Sequence, residues 1–176
     1  NRRALDAYEG ERAKLYASLK LAGLERAPAQ IAVFADEAPA EGHGLGNHSY
    51  DHSDFTKISE AEMLGQLDRT EAIVQRMAGV GLKPYFRPPF GAYNDLVRSI
   101  LARRGYQLLY WTLDSADWRE EFSVQDVVNR VSGQTQAGSI VVFHGYADKT
   151  AKALPSIIQR LKAKGLCFRT LGEALP

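Results

Sequence analysis

The sequence predicts an α/β fold built on a parallel sheet. Three observations lead there. Short apolar runs alternate with helical periodicities, capping residues and glycines punctuate the helices, and polar clusters follow the predicted strands. Strands separated by helices imply parallel pairing through right-handed crossovers. An open sheet and a closed or distorted barrel both satisfy this pattern.

The elements follow in order. Arg2 to Leu24 reads as a helix, with Leu5, Leu15, Leu19 and Ala22 on one face and Gly23 as its stop. Gln30 to Phe34 is a short apolar run, expected as a buried strand. Gly42 to His52 is rich in Gly and His and reads as a strand end and loop. Ser59 and Glu62 form a capping box in which each side chain satisfies a free backbone N–H, so a helix starts there. Leu64, Leu67, Val74 and Met77 supply its apolar stripe, and Gly79 and Gly81 close it.

The same alternation then repeats. Pro84 to Arg87 leads into a Pro-Pro-Phe-Gly turn. Asn94 caps a helix carrying Leu96, Val97, Ile100 and Leu101, ended by Gly105. Tyr106 to Leu113 reads as one strand, Ser123 caps a helix through Val131, and Ser139 to Phe143 is a near-continuous apolar strand. A helix with Leu154, Ile157, Ile158 and Leu161 ends at Gly165, and Leu166 to Arg169 is expected as the last strand.

Composition bounds the function. The 176 residues are 45% hydrophobic and 24% charged, as expected for one folded domain spanning residues 1–176. That length buries a core without disulfides or structural metal. With 22 Lys plus Arg against 21 Asp plus Glu, no basic excess points to nucleic acid and no acidic tail to a disordered partner segment. No apolar run reaches the ~18 residues of a membrane span. Cys167 is the only cysteine, which excludes an internal disulfide framework. The sequence begins at Asn1 without a charged and apolar leader, which reads as a processed, excised or trimmed chain.

The polar clusters sit where parallel α/β folds place their sites, after the strands. His48 and His52 are four residues apart, so on a helical turn their imidazoles face one way. Such a pair suits zinc or another borderline divalent ion once a third ligand, usually a carboxylate, joins it. Two surface loop histidines are the plainer reading. His43 reads as a loop residue packing under the strand. His144 leaves the strand Ile140 to Phe143, where a histidine serves as general acid or base, or simply as a satisfied strand-end residue. Asp117 could orient it, as carboxylates do for catalytic imidazoles. Capping the loop before Ser123 is the alternative for both Asp114 and Asp117. Arg87 precedes two prolines on a stiff, extended segment, suited to clamp a carboxylate or to form a structural ion pair. The Phe90-Gly91 turn could aim backbone N–H groups at a ligand. Trp118 and Tyr93 are candidates for a sugar-stacking wall, with core packing as the alternative.

Taken in order, these motifs resemble those of the polysaccharide deacetylase family, also called the NodB homology domain or carbohydrate esterase family 4. Gly42 to His52 contains His48-Ser49-Tyr50-Asp51-His52, which resembles the family's second motif, H-[ST]-x-x-[HS]. Arg87 to Asn94 resembles the third motif, Asp114-Ser115-Ala116-Asp117-Trp118 the fourth, and Val142-Phe143-His144 the fifth. The resemblance runs from Gly42 to the C-terminus. It implies a distorted (β/α) barrel and hydrolysis of N-acetyl groups on a glycan, in a protein working outside the cytoplasm. It also implies that His48 and His52 bind a divalent metal, expected to be zinc, which activates water and polarises the amide carbonyl. The Phe90 N–H would help hold the oxyanion. His144 would protonate the leaving amine under tuning by Asp117, Trp118 and Val142 would receive the acetate methyl, and Arg87 would hold the catalytic-base Asp.

The sequence departs from the family at the first motif. T-F-D-D, which supplies the base and the third metal ligand, is absent. In one register, Ile31 to Pro39 is a degenerate first motif with Asp36 as base and Glu37 as ligand, but too few residues then separate it from His48. In the favoured register, residues 1 to 24 are the first helix, residues 29 to 34 the second strand, and the first strand is altered or upstream of Asn1. Asp36 still falls at the carboxyl end of a strand and is the in-chain candidate for third ligand and base.

Three readings follow. The first is a metal-dependent N-deacetylase of a GlcNAc-containing polysaccharide or oligosaccharide, with peptidoglycan or a related cell-surface glycan favoured over chitin. The second is a catalytically inactive glycan-binding relative. The third is a metal-independent amide or imide hydrolase, against which the retention of both His48 and His52 argues.

Overall fold

The computed structural model describes residues 42–144 and 148–175. The helix expected at Arg2 to Leu24, the strand at Gln30 to Phe34, and Asp36 and Glu37 lie outside the described residues. The chain divides into two compact units after Leu109.

In the first unit, helix α1 spans Glu60–Ala78 and begins at the expected capping box. The Ser59 hydroxyl accepts the Glu62 N–H at 3.3 Å, and the Glu62 carboxylate accepts the Ser59 N–H at 2.8 Å. Gly79 ends the helix in the left-handed conformation that glycine adopts most readily, at φ 69°, and donates its N–H to Gln75 at 3.0 Å. The face that α1 buries runs through Met63, Leu67, Thr70, Ile73 and Val74. Leu64 and Met77 of the expected stripe are only partly buried. Strand β1, Tyr85–Phe86, pairs in parallel with β2, Gln107–Leu108, and Phe86 also bridges to Asn47. Helix α2, Asp95–Arg103, connects the two strands. The Asn94 side chain caps it by accepting the Val97 N–H at 2.9 Å. Val97, Ile100 and Leu101 join Phe55, Met63, Leu67, Phe86 and Tyr106 in this unit's core, while Leu96 remains 53% exposed. Each fully buried aliphatic side chain there contributes about 1.5–3 kcal/mol through removal from water.

In the second unit, β3, Leu113–Asp114, pairs in parallel with β4, Val141–Val142. Helix α3, Val124–Gln134, starts at a second capping box, formed by Ser123 and Asp126, and continues beyond Val131. Helix α4, Asp148–Ala163, packs Ala153, Ile157 and Leu161 against Val127, Val128 and Val131 of α3. A short helix, α5, spans Leu171–Ala174. No helix among the described residues is long and apolar enough to cross a membrane.

Two expected strands differ. The run from Tyr106 to Leu113 divides because its backbone changes partners: Leu109 donates to Phe86 at 2.7 Å, whereas Thr112 donates to Ile140 at 2.9 Å. Leu166 to Arg169 forms no ladder among the described residues. Leu166 instead donates its N–H back to Leu161 at 3.1 Å, closing the end of α4, and its side chain packs on the core of the second unit.

Candidate active site

In the first unit the functional side chains follow directly from the Asn47–β1 pairing. Asn47 donates its backbone N–H to Tyr85 at 2.8 Å, and Arg87 donates to the Asn47 carbonyl at 3.0 Å. His48 and Arg87 therefore leave neighbouring strand positions at their carboxyl ends. The His48 Nδ1 lies 2.6 Å from the Arg87 carbonyl oxygen. A carbonyl only accepts, so Nδ1 carries a proton, and in the neutral ring Nε2 is left with the lone pair. The His52 ring stands edge-on to it, with centroids 4.9 Å apart and planes at 81°.

The segment between the two imidazoles is not the helical turn that the spacing suggested. Ser49 and His52 both occupy the left-handed region, at φ 69° and 65°. Ser49 is held by Asn47, whose Oδ1 accepts the Ser49 N–H at 3.0 Å, and His52 by the Ser49 hydroxyl, which accepts its N–H at 2.9 Å. Gln66 of α1 accepts the N–H groups of Tyr50 and Asp51 at 2.8 and 3.0 Å. Burial alone would raise the Asp51 carboxyl, but hydrogen bonds from Ser53 and Gln66 outweigh it and hold the pKa below its ordinary value. His43 is exposed in its loop rather than packed under a strand.

Phe90 sits in a short 3-10 turn, Pro89–Gly91, at φ 58° and 72% exposed. Its ring meets the edge of His52 at 4.6 Å. A non-glycine residue held left-handed at a functional loop stores strain of about 1–3 kcal/mol. Tyr93 is 40% exposed, with the Arg98 guanidinium 5.4 Å above its ring. Arg87 is partly buried, and Asp36, its expected carboxylate partner, lies outside the described residues.

In the second unit, the ends of β3 and β4 carry the other cluster. Asp117 is 1% exposed and grips His144 twice. Its Oδ1 lies 2.7 Å from the His144 Nδ1, and its Oδ2 accepts the His144 backbone N–H at 2.7 Å. The Thr150 hydroxyl of α4 also donates to Oδ2. Burial would raise this carboxyl, yet the hydrogen bonds from His144 and Thr150 prevail and the pKa lies below its ordinary value. Asp117 is therefore a carboxylate anion at neutral pH, and it fixes the His144 ring with Nε2 as the working nitrogen.

Asp114 plays the local part that the sequence left open for both aspartates. Its carboxylate accepts the Ala116 N–H at 2.7 Å and the Trp118 indole N–H at 3.3 Å, shaping a turn in which Ala116 has φ 60°. Arg130 of α3 donates to the Asp114 carbonyl at 2.8 Å. Trp118 is 50% exposed, and Val142 is buried on β4.

Sequence reasoning missed Asn47, Ser49, Gln66 and Thr150 as supporting residues. Ser49 was visible as part of the His48–His52 motif. The others carry common residue types, and the partners that set their role lie far along the chain: Leu67 and Tyr106 for Asn47, Tyr50 for Gln66 and Asp117 for Thr150.

Comparison with known proteins gives this arrangement a family. The polysaccharide deacetylase family model matches residues 26–109. A solved family 4 carbohydrate esterase from Streptomyces lividans, in complex with acetate, is 33% identical, with a TM-score of 0.67 over 76% of this chain and 72% of that one. The chain belongs to the polysaccharide deacetylase family. The fold class expected from the sequence, the family's distorted α/β barrel, is the one its structural relatives share. A peptidoglycan-N-acetylglucosamine deacetylase from Bacillus cereus is 34% identical over 135 residues, covering 74% of this deacetylase-family chain and 48% of that protein. A family 4 pseudoenzyme from Bacillus anthracis is 28% identical with a TM-score of 0.74, over 81% of this chain and 50% of that one. The chain spans about half the length of the curated relatives it matches.

The donor chemistry at His48 and His52 fits a borderline divalent ion. Two imidazoles stand side by side, and one is locked by a backbone carbonyl in the tautomer that offers Nε2. Among the described residues, no group of three or more His, Cys, Asp or Glu side chains is placed to hold an ion.

Proposed function

We propose that this chain is a hydrolase removing N-acetyl groups from a GlcNAc-containing glycan, with peptidoglycan or a related cell-surface polymer as substrate. It works as one catalytic domain over residues 1–176, outside the cytoplasm, with a divalent metal, zinc by donor type, held by His48, His52 and Asp36. The observation that carries this reading is the Asp117–His144 pair: a buried anion holding the His144 ring nitrogen and the His144 backbone N–H, each at 2.7 Å, in a chain of this family.

The bound ion would supply Lewis acidity toward the acetyl carbonyl and a lowered pKa for the attacking water. The chain's own groups do the rest. Asp36, oriented by Arg87, takes a proton from water as its oxygen bonds to the acyl carbon. The Phe90 N–H donates to the oxygen on which negative charge develops. The C–N bond breaks as the His144 Nε2 gives its proton to the departing nitrogen, leaving acetate and a free amine. Trp118 and Tyr93 offer exposed aromatic faces to sugar rings, and Val142 an apolar wall to the methyl.

One observation favours a second reading, a glycan-binding protein without catalysis: the likeness to a pseudoenzyme. Acetate release from peptidoglycan and from N-acetylglucosamine oligomers, with zinc added, separates the two. Release by the parent and its loss in His144→Ala supports the deacetylase. Retained glycan binding with no acetate released supports the binding-only protein.

A further inference from the structure

Asn47 is 1% exposed, and every polar atom of its amide is used. The Nδ2 donates to the Leu67 carbonyl of α1 at 3.1 Å and to the Tyr106 hydroxyl at 3.2 Å. The Oδ1 accepts the Ser49 N–H at 3.0 Å. Tyr106 cannot take the donor role toward Asn47, because its proton goes to the Glu71 carboxylate at 2.7 Å. Glu71 is itself anchored, accepting the Leu82 N–H at 3.1 Å. Burial, followed by the adjoining Glu71 carboxylate, pushes the Tyr106 hydroxyl far above its ordinary pKa, so it stays protonated. The amide therefore has one permitted orientation, with NH2 toward α1 and Tyr106 and oxygen toward Ser49.

That orientation propagates along the loop. Asn47 Oδ1 holds Ser49 at φ 69°, which places its hydroxyl to accept the His52 N–H at 2.9 Å. His52 is thereby held at φ 65°, with its ring 4.9 Å from His48. Two left-handed residues that are not glycine, three positions apart, are strained, so they persist only where such bonds hold them. Meanwhile the Asn47 backbone is fixed to both flanks of Phe86, and through Arg87 to the carbonyl that meets His48. One residue thus connects the helix and the His52 loop through its side chain, and the strand and His48 through its backbone.

We propose that Asn47 is a positioning residue for the His48–His52 pair, acting through Ser49, with Tyr106 and Glu71 holding its amide in the working orientation. Its bearing on metal affinity rests on the function proposed above; its bearing on ring geometry does not. Asn47→Asp is nearly isosteric and keeps Oδ1 but replaces the two donated hydrogen bonds with an anion facing two acceptors. Tyr106→Phe removes only the hydroxyl. Ile100→Val, in the same core but off the relay, serves as a control for lost stability.

The test has two arms on the whole chain, both well below the unfolding temperature. In the metal-free protein, histidine side-chain NMR reads the proton at His48 Nδ1 and the cross-relaxation between the His48 and His52 rings. Zinc affinity is then measured by competition with a chelating dye. In Asn47→Asp the ring-to-ring signal is expected to vanish and zinc affinity to fall roughly ten- to a hundredfold, the usual cost of losing an outer partner of a ligand. Tyr106→Phe should move both in the same direction, and Ile100→Val neither. Should Asn47→Asp fail to fold, Tyr106→Phe decides. Ring signals and affinity like the parent's in every folded Asn47 or Tyr106 variant overturn the proposal. A parent that binds no zinc counts against the proposed function, while the NMR arm still decides the role of Asn47.

Discussion

Asp117 engages His144 through both carboxylate oxygens, one on the ring nitrogen and one on the backbone N–H, each at 2.7 Å. A carboxylate bound to a ring alone restrains its rotation. One that also binds the same residue's backbone sets where the ring starts. Thr150 adds a third hydrogen bond to the same group, so the pair is braced from α4 as well.

Asp117→Asn should therefore abolish most turnover. An amide puts a donor where Oδ2 now accepts from both the His144 N–H and Thr150, and the ring loses its anion. Acetate release is expected to fall by about 10²–10⁴-fold, the range for a displaced general acid, with glycan binding little changed. Activity within about threefold of the parent would exclude His144 as the acid fixed by Asp117.

The same carboxylate predicts an acid dependence of stability. Its folded-state pKa is below its ordinary value of 3.8, so the stabilisation is fully present above that value and is lost as pH falls through the folded-state pKa. Melting temperature followed from pH 7 into acid should fall more steeply for the parent than for Asp117→Asn below about pH 4. Parallel curves through that window would show that Asp117 is not held as an anion.

Phe90→Gly separates strain from use. Glycine relieves the left-handed backbone, at φ 58°, but loosens the unfolded chain, and the two effects oppose each other. Unfolding free energy is expected to change by less than about 1 kcal/mol. The ring's edge contact with His52 disappears, so acetate release should drop about tenfold or more. Unchanged kinetics would mean that the ring has no part in the reaction.

Metal removal has a residue-specific form. Dialysis against a chelator should stop acetate release and zinc should restore it in the parent, whereas His48→Ala should stay inactive at the same zinc concentration. Full activity of the chelated parent would support the metal-independent hydrolase.

Ser59→Ala tests the fold away from the reaction. It deletes the hydroxyl that accepts the Glu62 N–H at the start of α1. The expected cost is about 1 kcal/mol in chemical denaturation. No loss would show that Glu62 or water replaces the cap.

Legibility followed the range of each interaction. Ser59–Glu62, Asn94–Val97 and Ser123–Asp126 are all three residues apart, and α1, α2 and α3 begin where these pairs stand. The break in the Tyr106 to Leu113 run was hidden, because its β-compatible residues do not reveal which strand each half pairs with. Likewise, Asp114 and Asp117 are the same residue type in one motif. Only the turn at Ala116 gives one to Trp118 and the other to His144.

By itself, the sequence determined the capped starts of α1, α2 and α3, the order of the polar clusters and, through that order, the family. These depend on spacings of a few residues, which every conformation of the chain retains. Tertiary structure alone decided which atoms those clusters use. Asn47 reaches partners 20 and 59 residues away, and Asp117 reaches His144 and Thr150 27 and 33 residues on. Bonds of that span exist only after the helices and strands have packed, and they select a proton position and a ring direction that residue type leaves open.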